Sequence, residues 1–424
     1  MIKKIGIIGL GHVGTSVVES LKKYSSLIRE RSSLSLKIKK ICDANKSRRN
    51  FAKKLGVPFT TDYNDLTNDP EIDIIVELIG GIEPANSIIL SALNKGKSVV
   101  TANKALLATK GKKIFALAQK NRKRVGFEAS VCGAIPLIKS TSEGLVCCDV
   151  KKIYGILNGT TNYILYKMQR ENIDFASSLN EAQVQGYAEK KADLDINGVD
   201  SLHKLCILSY LCYGIWPSLD KVYAEGISKI SLLDIAYAKD LGYQIKLLSI
   251  AKKEKGSLDI RVHPTLIPID HPLSQVALAF NAVYFDTKPA GDLLFYGQGA
   301  GGVATSSSVI SDIVSIASGH KGFIRSQGKA KIKNIADIKT RYYIRCMVMD
   351  SPGVLAKISK ILASYKISIA SVNQKERREG KFVPIVMQTH QAKESNMQKA
   401  INNINRLKVI KSPLQIIRIE DLPS

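Results

Sequence analysis

The sequence predicts an α/β protein with three parts: a doubly wound parallel sheet, a second, mixed α/β domain, and a small C-terminal βαββαβ unit. Three observations carry this. The first third alternates short, β-branched apolar runs with helical patterns. That rhythm changes near Ser130, and from about Lys331 six further elements follow in the order of a ferredoxin-like module. A chain of 424 residues is too long for one ordinary domain, and 45% hydrophobic content is ample for several cores.

Lys4–Leu10, Lys37–Cys42, Asp73–Leu78, Ser98–Thr101 and Arg124–Glu128 read as buried parallel strands, with helical patterns over Glu83–Asn94 and Lys104–Asn121. Tyr24–Ser35 breaks the alternation and reads as a helix end with a surface loop. Beyond Ser130, a strand at Val150–Leu157 precedes helices at Asn162–Glu171, Phe175–Gly186 and Ser201–Tyr213. Gln244–Lys252, Leu258–His263, Ala279–Asp286 and Asp292–Tyr296 then suggest a second, mixed sheet, and Ser306–Ala317 a helix returning to the first domain. The last unit reads Arg341–Met349 (strand), Leu355–Tyr365 (helix), Ile367–Gln374 and Lys381–Thr389 (strands), Ser395–Asn405 (helix) and Pro413–Ile419 (strand). Trp216, Cys206 and Cys212 read as core residues.

The formal charge of +25 raises the question of nucleic acid, but the lysines are scattered through every segment and nowhere interleaved with aromatics. No nucleic-acid partner is expected. No run approaches the roughly 20 apolar residues of a membrane span, and Ile5-Gly6-Ile7-Ile8-Gly9 begins too early to leave room for a signal peptide. The seven cysteines form neither a Cys-x-x-Cys pair nor a disulfide framework, so a cytoplasmic chain with reduced thiols is expected. None of the six histidines has metal-ligand spacing, and no transition metal is expected.

Gly9-Leu10-Gly11-His12-Val13-Gly14 follows a strand and opens a helix, the context in which a Gly-x-Gly-x-x-Gly run binds a dinucleotide. Gly9 permits the turn, Gly11 lets a pyrophosphate approach the backbone, and Gly14 lets helix pack on strand. The sheet is therefore expected to be of the Rossmann type. Asp43, closing the second strand, suits a ribose 2′-hydroxyl and favours NAD, while Arg48 and Arg49 stand ready to neutralise the phosphate of NADP; the choice stays open.

Thr101-Ala102-Asn103-Lys104 closes another strand at its carboxyl end, where open α/β sheets bind ligands. Lys104 is either a solvated lysine or part of a site. Asp200 and Lys204 stand four apart on one helix face, as a plain surface pair or a catalytic one, and Asp200 alone suits a helix cap.

With Glu128–Pro136 (EASVCGAIP), Asn158–Leu165 (NGTTNYIL), Gly186–Lys204 (GYAE…DxxGxDxxxK) and Tyr296–Gly302 (YGQGAGG), these motifs stand in the order found in homoserine dehydrogenases, which the chain resembles over about residues 1–320. Asp350-Ser351-Pro352-Gly353-Val354-Leu355, between strand and helix, resembles the loop of an ACT regulatory domain. The resemblance implies the monofunctional form, without an aspartate kinase segment before the first strand. The implied domains are a Rossmann domain (1–129), a catalytic, substrate and dimerisation domain (130–300), a returning helix and linker (301–330) and the ACT domain (331–424).

The resemblance implies NAD(P)-dependent interconversion of homoserine and aspartate 4-semialdehyde, on the route to threonine and methionine. It implies Lys204, Lys104 and Asp200 as catalytic residues, with Lys204 taking and giving the proton. By the same resemblance, Glu189, Asp200, Thr160 and Tyr187 are expected to bind substrate, with backbone amides around Asn158–Thr161 receiving its carboxylate. Gly9, Gly11, His12, Val13, Gly14, Asp43, Thr101, Lys104, Gly299 and Gly301 are the residues expected to hold the cofactor. Glu128, Val131, Gly133 and Ile135 match a loop for a monovalent cation, sodium by its oxygen donors. Asp350, Gly353, Asn373 and Gln374 mark an effector site for threonine, and the assembly implied is a homodimer or homotetramer. The rival reading, a non-catalytic nucleotide sensor on the same fold, expects loss of Lys104, Glu189, Asp200 or Lys204, and all four are present. The chain departs from the family in one place: Lys190-Lys191-Ala192 replaces the usual alanine, aspartate and proline, predicting a looser, more positive loop.

Overall fold

The computed structural model describes residues 2–320, 328, 330–375 and 378–422. In chain order the strands are β1 (Ile2–Ile8), β2 (Ser35–Cys42), β3 (Phe59–Thr60), β4 (Ile74–Glu77), β5 (Ser98–Thr101), β6 (Val125–Gly126), β7 (Asp149–Ile156), β8 (Tyr223–Ala224), β9 (Tyr243–Glu254), β10 (Ser257–Pro268), β11 (Phe280–Lys288), β12 (Gly291–Gln298), β13 (Lys331–Ile332), β14 (Lys339–Met349), β15 (Ile369–Asn373), β16 (Phe382–Thr389), β17 (Ala392–Lys393) and β18 (Gln415–Ile419). They fall into two compact units, drawn from the described residues of 1–151, 200–219 and 280–329, and of 152–199, 220–279 and 330–424.

The first unit carries a six-stranded sheet in the order β3-β2-β1-β4-β5-β6, parallel throughout. Its central strands are short apolar runs because both faces are covered. Val17, Val18 and Leu21 of the helix His12–Lys23 meet Ile5, Ile7, Ile74 and Val76 of the sheet, and Val309 and Ile313 of the helix Gly302–Ala317 join the same core. Each such side chain contributes about 1.5–3 kcal/mol when fully buried. The two helices also share a hydrogen bond between the Ser20 and Ser306 hydroxyls at 3.0 Å. Register places the functional edge: Ile8 pairs with Glu77 and Glu77 with Thr101, so the glycine loop, Glu77 and Thr101 share one carboxyl end of the sheet. Trp216 stacks on Tyr210 at 4.3 Å, half-buried, against Gly111, where a side chain would overlap the indole. Cys206 and Cys212 are buried.

The second unit is one continuous sheet, in the order β7-β9-β10-β18-β14-β16-β15, with β8 and β13 on β10 and β17 on β14. Its last four strands, β18-β14-β16-β15, with the helices Val354–Ser364 and Glu394–Ile404, form the expected βαββαβ unit around its own core of Tyr342, Ile358, Met387 and Met397. That unit is not appended by a tether. β18 runs parallel to β10, pairing Thr265 with Arg418 and Leu266 with Ile419.

Three differences from the sequence reading have physical causes. Ser25–Ser32 is a helix rather than a loop: it lacks glycine and proline, and Ile28 packs on the core beneath it. The strand expected at Arg124–Glu128 shortens to Val125–Gly126, because Glu128–Ser130 turns into a 3₁₀ helix. An unexpected helix, Leu232–Asp240, starts at a capping box in which Ser231 and Asp234 satisfy each other's backbone amides.

Asp234 has a second task. Its buried carboxylate accepts from Arg345 Nε at 2.7 Å, Arg345 Nη2 at 3.0 Å and the Tyr343 hydroxyl at 3.1 Å, tying the helix to β14. Asp234→Ala leaves the guanidinium without its carboxylate and should cost roughly 3–5 kcal/mol. Urea unfolding of the variant checks this; a loss under about 1 kcal/mol contradicts it.

Candidate active site

The glycine loop is built for a phosphate. Gly9 has φ +102°, a Cβ on Gly14 would overlap the Gly9 carbonyl, and a Cβ on Gly11 would meet nothing within 4 Å. The helix beginning at His12 thus presents its amino end to open space over Gly11, the arrangement that receives a pyrophosphate. His12 Nε2 accepts from Gly302 N at 3.1 Å, so the loop is buttressed by the start of the Gly302–Ala317 helix, whose cap residue Gly301 has φ +123°. Asp43 sits at the end of β2, yet its carboxylate is engaged by the protein: Oδ2 accepts from Leu10 N at 2.6 Å and Oδ1 from Asn45 N at 2.8 Å. It is therefore a brace of the loop as well as a candidate for the ribose.

At the same edge, Glu77 is fully buried and its carboxyl is pushed up by that burial, while Thr101 Oγ1 donates to it at 2.6 Å. Thr101 in turn accepts from Asn103 N at 3.0 Å, and the Asn103 side chain caps the next helix by accepting from Leu106 N at 3.0 Å. The first residue of that helix is Lys104. Its ammonium lies 2.5 Å from Asp200 Oδ1, and Lys204 Nζ lies 2.8 Å from Asp200 Oδ2. Neither a surface pair nor a bare cap describes this arrangement, since Asp200 is 3% exposed and shared between two lysines. Burial pushes the Asp200 carboxyl up, but the Lys204 and Lys104 ammonium groups outweigh it and hold the group well below the usual carboxylate range. Lys204 is nearly buried, whereas 44% of the Lys104 side chain is exposed.

In the Glu128–Ile135 segment, Glu128, Val131, Gly133 and Ile135 offer one carboxylate and three backbone carbonyls. The Glu128 carboxylate is buried, and burial pushes it up; its oxygens accept from Ile138 N at 2.7 Å and Lys139 N at 3.0 Å. The Gly133 carbonyl accepts from Ser308 Oγ at 2.6 Å and the Ile135 carbonyl from Leu137 N at 2.7 Å; Val131 is buried. A carboxylate and neutral carbonyls fit a hard monovalent cation. Gly299 packs its carbonyl against Gly133, where a Cβ would come within 2.6 Å.

In the second unit, Asn158 caps the Gly159–Glu171 helix by accepting from Thr161 N at 2.8 Å, and its amide donates to Asp195 Oδ1 at 2.7 Å. Thr160 Oγ1 donates to the Tyr187 carbonyl at 2.5 Å. The cap occupies the Thr161 amide, so a carboxylate anchor here falls to Gly159 and Thr160. Glu189 is exposed; Gln183 Nε2 donates to its carbonyl at 3.2 Å and to that of Lys190 at 3.4 Å, which ties the Lys190-Lys191-Ala192 loop to the preceding helix.

Comparison with known proteins decides what this geometry serves. The NAD-binding domain profile of homoserine dehydrogenase matches residues 9–128, the homoserine dehydrogenase profile matches 136–314, and the ACT domain profile matches 342–408. The homoserine dehydrogenase of Helicobacter pylori is 40% identical over 98% of this chain and 99% of its own. The chain belongs to the homoserine dehydrogenase family. The crystal structure of a Thiobacillus denitrificans homoserine dehydrogenase superposes with a TM-score of 0.92 at 39% identity, covering 99% of both chains. A hyperthermophilic archaeal homoserine dehydrogenase in complex with NADPH superposes with a TM-score of 0.66 at 25% identity, over 76% of this chain and all of its own.

The protein is thus a nicotinamide-dependent oxidoreductase interconverting homoserine and aspartate semialdehyde, with a C-terminal ACT domain, and nothing supports the non-catalytic alternative. Among the described residues no helix is long and apolar enough to cross a membrane. In the ACT domain of this homoserine dehydrogenase, Asp350 Oδ1 accepts from Gln374 Nε2 at 3.2 Å and Oδ2 from Arg378 N at 2.6 Å. Gly353 caps the Val354–Ser364 helix with φ +83°, and Asn373 closes β15. Sequence reasoning missed Glu77, although a carboxylate ending the all-apolar run Ile74-Ile75-Val76 was a visible signal.

Because its folded pKa is depressed, Asp200 contributes stability that is complete above the unfolded value of about 3.9 and is lost as the pH falls below it. Asp200→Asn should therefore be less stable at neutral pH and lose stability less steeply between about pH 5 and 3. Urea midpoints across that range measure both; parallel profiles would contradict the assignment.

Proposed function

We propose that the homoserine hydroxyl reacts at the Lys204–Asp200–Lys104 cluster of the first unit. The single supporting observation is one buried carboxylate bound to two lysine ammonium groups at the carboxyl edge of the cofactor sheet. The bound nicotinamide supplies the hydride acceptor, or the donor in reverse. Lys204, in its neutral form, takes the hydroxyl proton as the carbonyl forms, and as ammonium returns it to the developing alkoxide in reverse. Asp200 fixes the position of Lys204, and Lys104 brings a second positive charge to the same carboxylate. Glu189 takes the substrate's ammonium, Thr160 and Tyr187 frame the substrate, and the amides of Gly159 and Thr160 take its carboxylate.

The cofactor lies along Gly9, Gly11, His12, Val13, Gly14, Thr101 and Lys104, with Gly299 and Gly301 supporting it, and Asp43 favours NAD. The archaeal relative's NADPH complex keeps NADP in view, with Arg48 and Arg49 as the phosphate partners. Glu128 and the carbonyls of Val131, Gly133 and Ile135 hold sodium in a structural role. Threonine binds the ACT domain at Asp350, Gly353, Asn373 and Gln374, where its ammonium competes with the donors that Asp350 already accepts. The domains run 1–129, 130–300, 301–330 and 331–424 in a cytoplasmic homodimer or homotetramer.

Lys204→Ala should lower kcat by about 10²–10⁴-fold while the KM for the cofactor changes little. Homoserine-dependent reduction of NAD, followed by its absorbance, is the measurement, and near-normal turnover would remove Lys204 from its role. Asp43→Ser should shift the ratio of NADP to NAD use upward and, because Leu10 N loses its acceptor, weaken both cofactors. A wild-type preference for NADP would overturn the NAD reading.

A further inference from the structure

Lys246 of β9 is 1% exposed, and its neighbours are not those of a structural ion pair. Its Nζ donates to Asn162 Oδ1 at 3.1 Å and to the Val276 carbonyl at 2.5 Å. Asn162 lies in the first turn of the Gly159–Glu171 helix, and its own amide donates to Val276 O at 3.1 Å and Leu278 O at 2.8 Å. Amine, carboxamide and two carbonyls thus close a buried ring joining β9, the helix start and the segment leading into β11. The same segment presses on the helix from its other end, since a Cβ on Gly159 would lie 2.6 Å from the Ala279 carbonyl.

A lysine is a costly way to fill such a space. Burial alone pushes its amine down to about 7, and a methionine of similar length would fill the volume without that penalty. What a methionine lacks is the donor that bridges helix and segment. The turn held in this way bears the amides of Gly159 and Thr160. It is fixed on its far side by Asn158 to Asp195 and by Thr160 to the Tyr187 carbonyl.

We propose that Lys246 is a positioning residue for the substrate carboxylate: through Asn162 and Val276 it locks the first turn of the Gly159–Glu171 helix so that the Gly159 and Thr160 amides meet homoserine correctly placed. This role rests on those amides being the carboxylate anchor, as assigned under the proposed function. Lys246 does not touch substrate, so its removal acts on recognition of one substrate group and leaves hydride transfer and cofactor binding alone.

The test compares homoserine with 3-aminopropan-1-ol, which is homoserine without its carboxylate, in the full-length enzyme. In Lys246→Met, checked for folding by its thermal melt, the KM for homoserine should rise about tenfold, with kcat and the KM for cofactor within about twofold. The selectivity for homoserine over 3-aminopropan-1-ol should fall by the same factor, which a general loss of stability does not produce. Asn162→Asp keeps the acceptor for Lys246 but not the donor to Val276 and Leu278, and it should show the same loss; it carries the test if Lys246→Met fails to fold. High wild-type selectivity that survives in a folded variant overturns the role of Lys246 and leaves the anchor standing. Wild-type selectivity near unity overturns the anchor and this role together.

Discussion

One buried carboxylate facing two lysines is the constraint around which the first unit is arranged. Asp200 cannot be shielded from water without its counter-charges, and neither lysine has reason to stand beside the other without it. The lysines arrive by different routes. Lys204 comes from one helical turn along the same element, and Lys104 from the amino end of a helix whose start is fixed by Glu77, Thr101 and Asn103. The sheet register that aligns Glu77 with Thr101 is therefore upstream of this cluster, because a slip of one residue would turn both inward contacts away.

Local signals were legible where physics is local. The glycine loop, the strand before it and the helix after it are determined by φ, close packing and periodicity within a dozen residues, and they stand where the motif requires. Asp200 and Lys204 share a helix face because they are four apart. The pairing of Lys104 with Asp200 was not legible from residue types, since it joins positions nearly a hundred residues apart; resemblance alone brought them together. Asp43 shows what motif reading leaves out. Its position predicted a ribose contact, but its bonds to Leu10 and Asn45 depend on side-chain direction, which no spacing reveals.

The same distinction explains the second unit. The βαββαβ pattern was readable, element by element, from period and turn residues. That β18 would pair with β10 was not, because the pairing joins positions more than 150 residues apart and neither strand's own pattern names its partner. Around that seam the chain has gathered buried charge. Arg418 binds Glu394 at 2.7 Å and Glu225 at 2.9 Å, while Arg261 binds Glu420 at 2.8 Å. Such pairs add little net stability, but each becomes a liability if its partner is taken away.

The seam also bears on how the regulatory module can be handled or lost. A chain cut before β14 keeps β10, with β8 and β13 still paired to it, but strips it of β18 and so opens the buried stretch around Thr265 and Leu266. Arg261 would lose one of its two carboxylates in the same cut. An open edge of that kind is a template for pairing with another chain. Shortened forms would therefore tend toward self-association and inclusion bodies, and any lineage that sheds the module must first find something else to cover that strand.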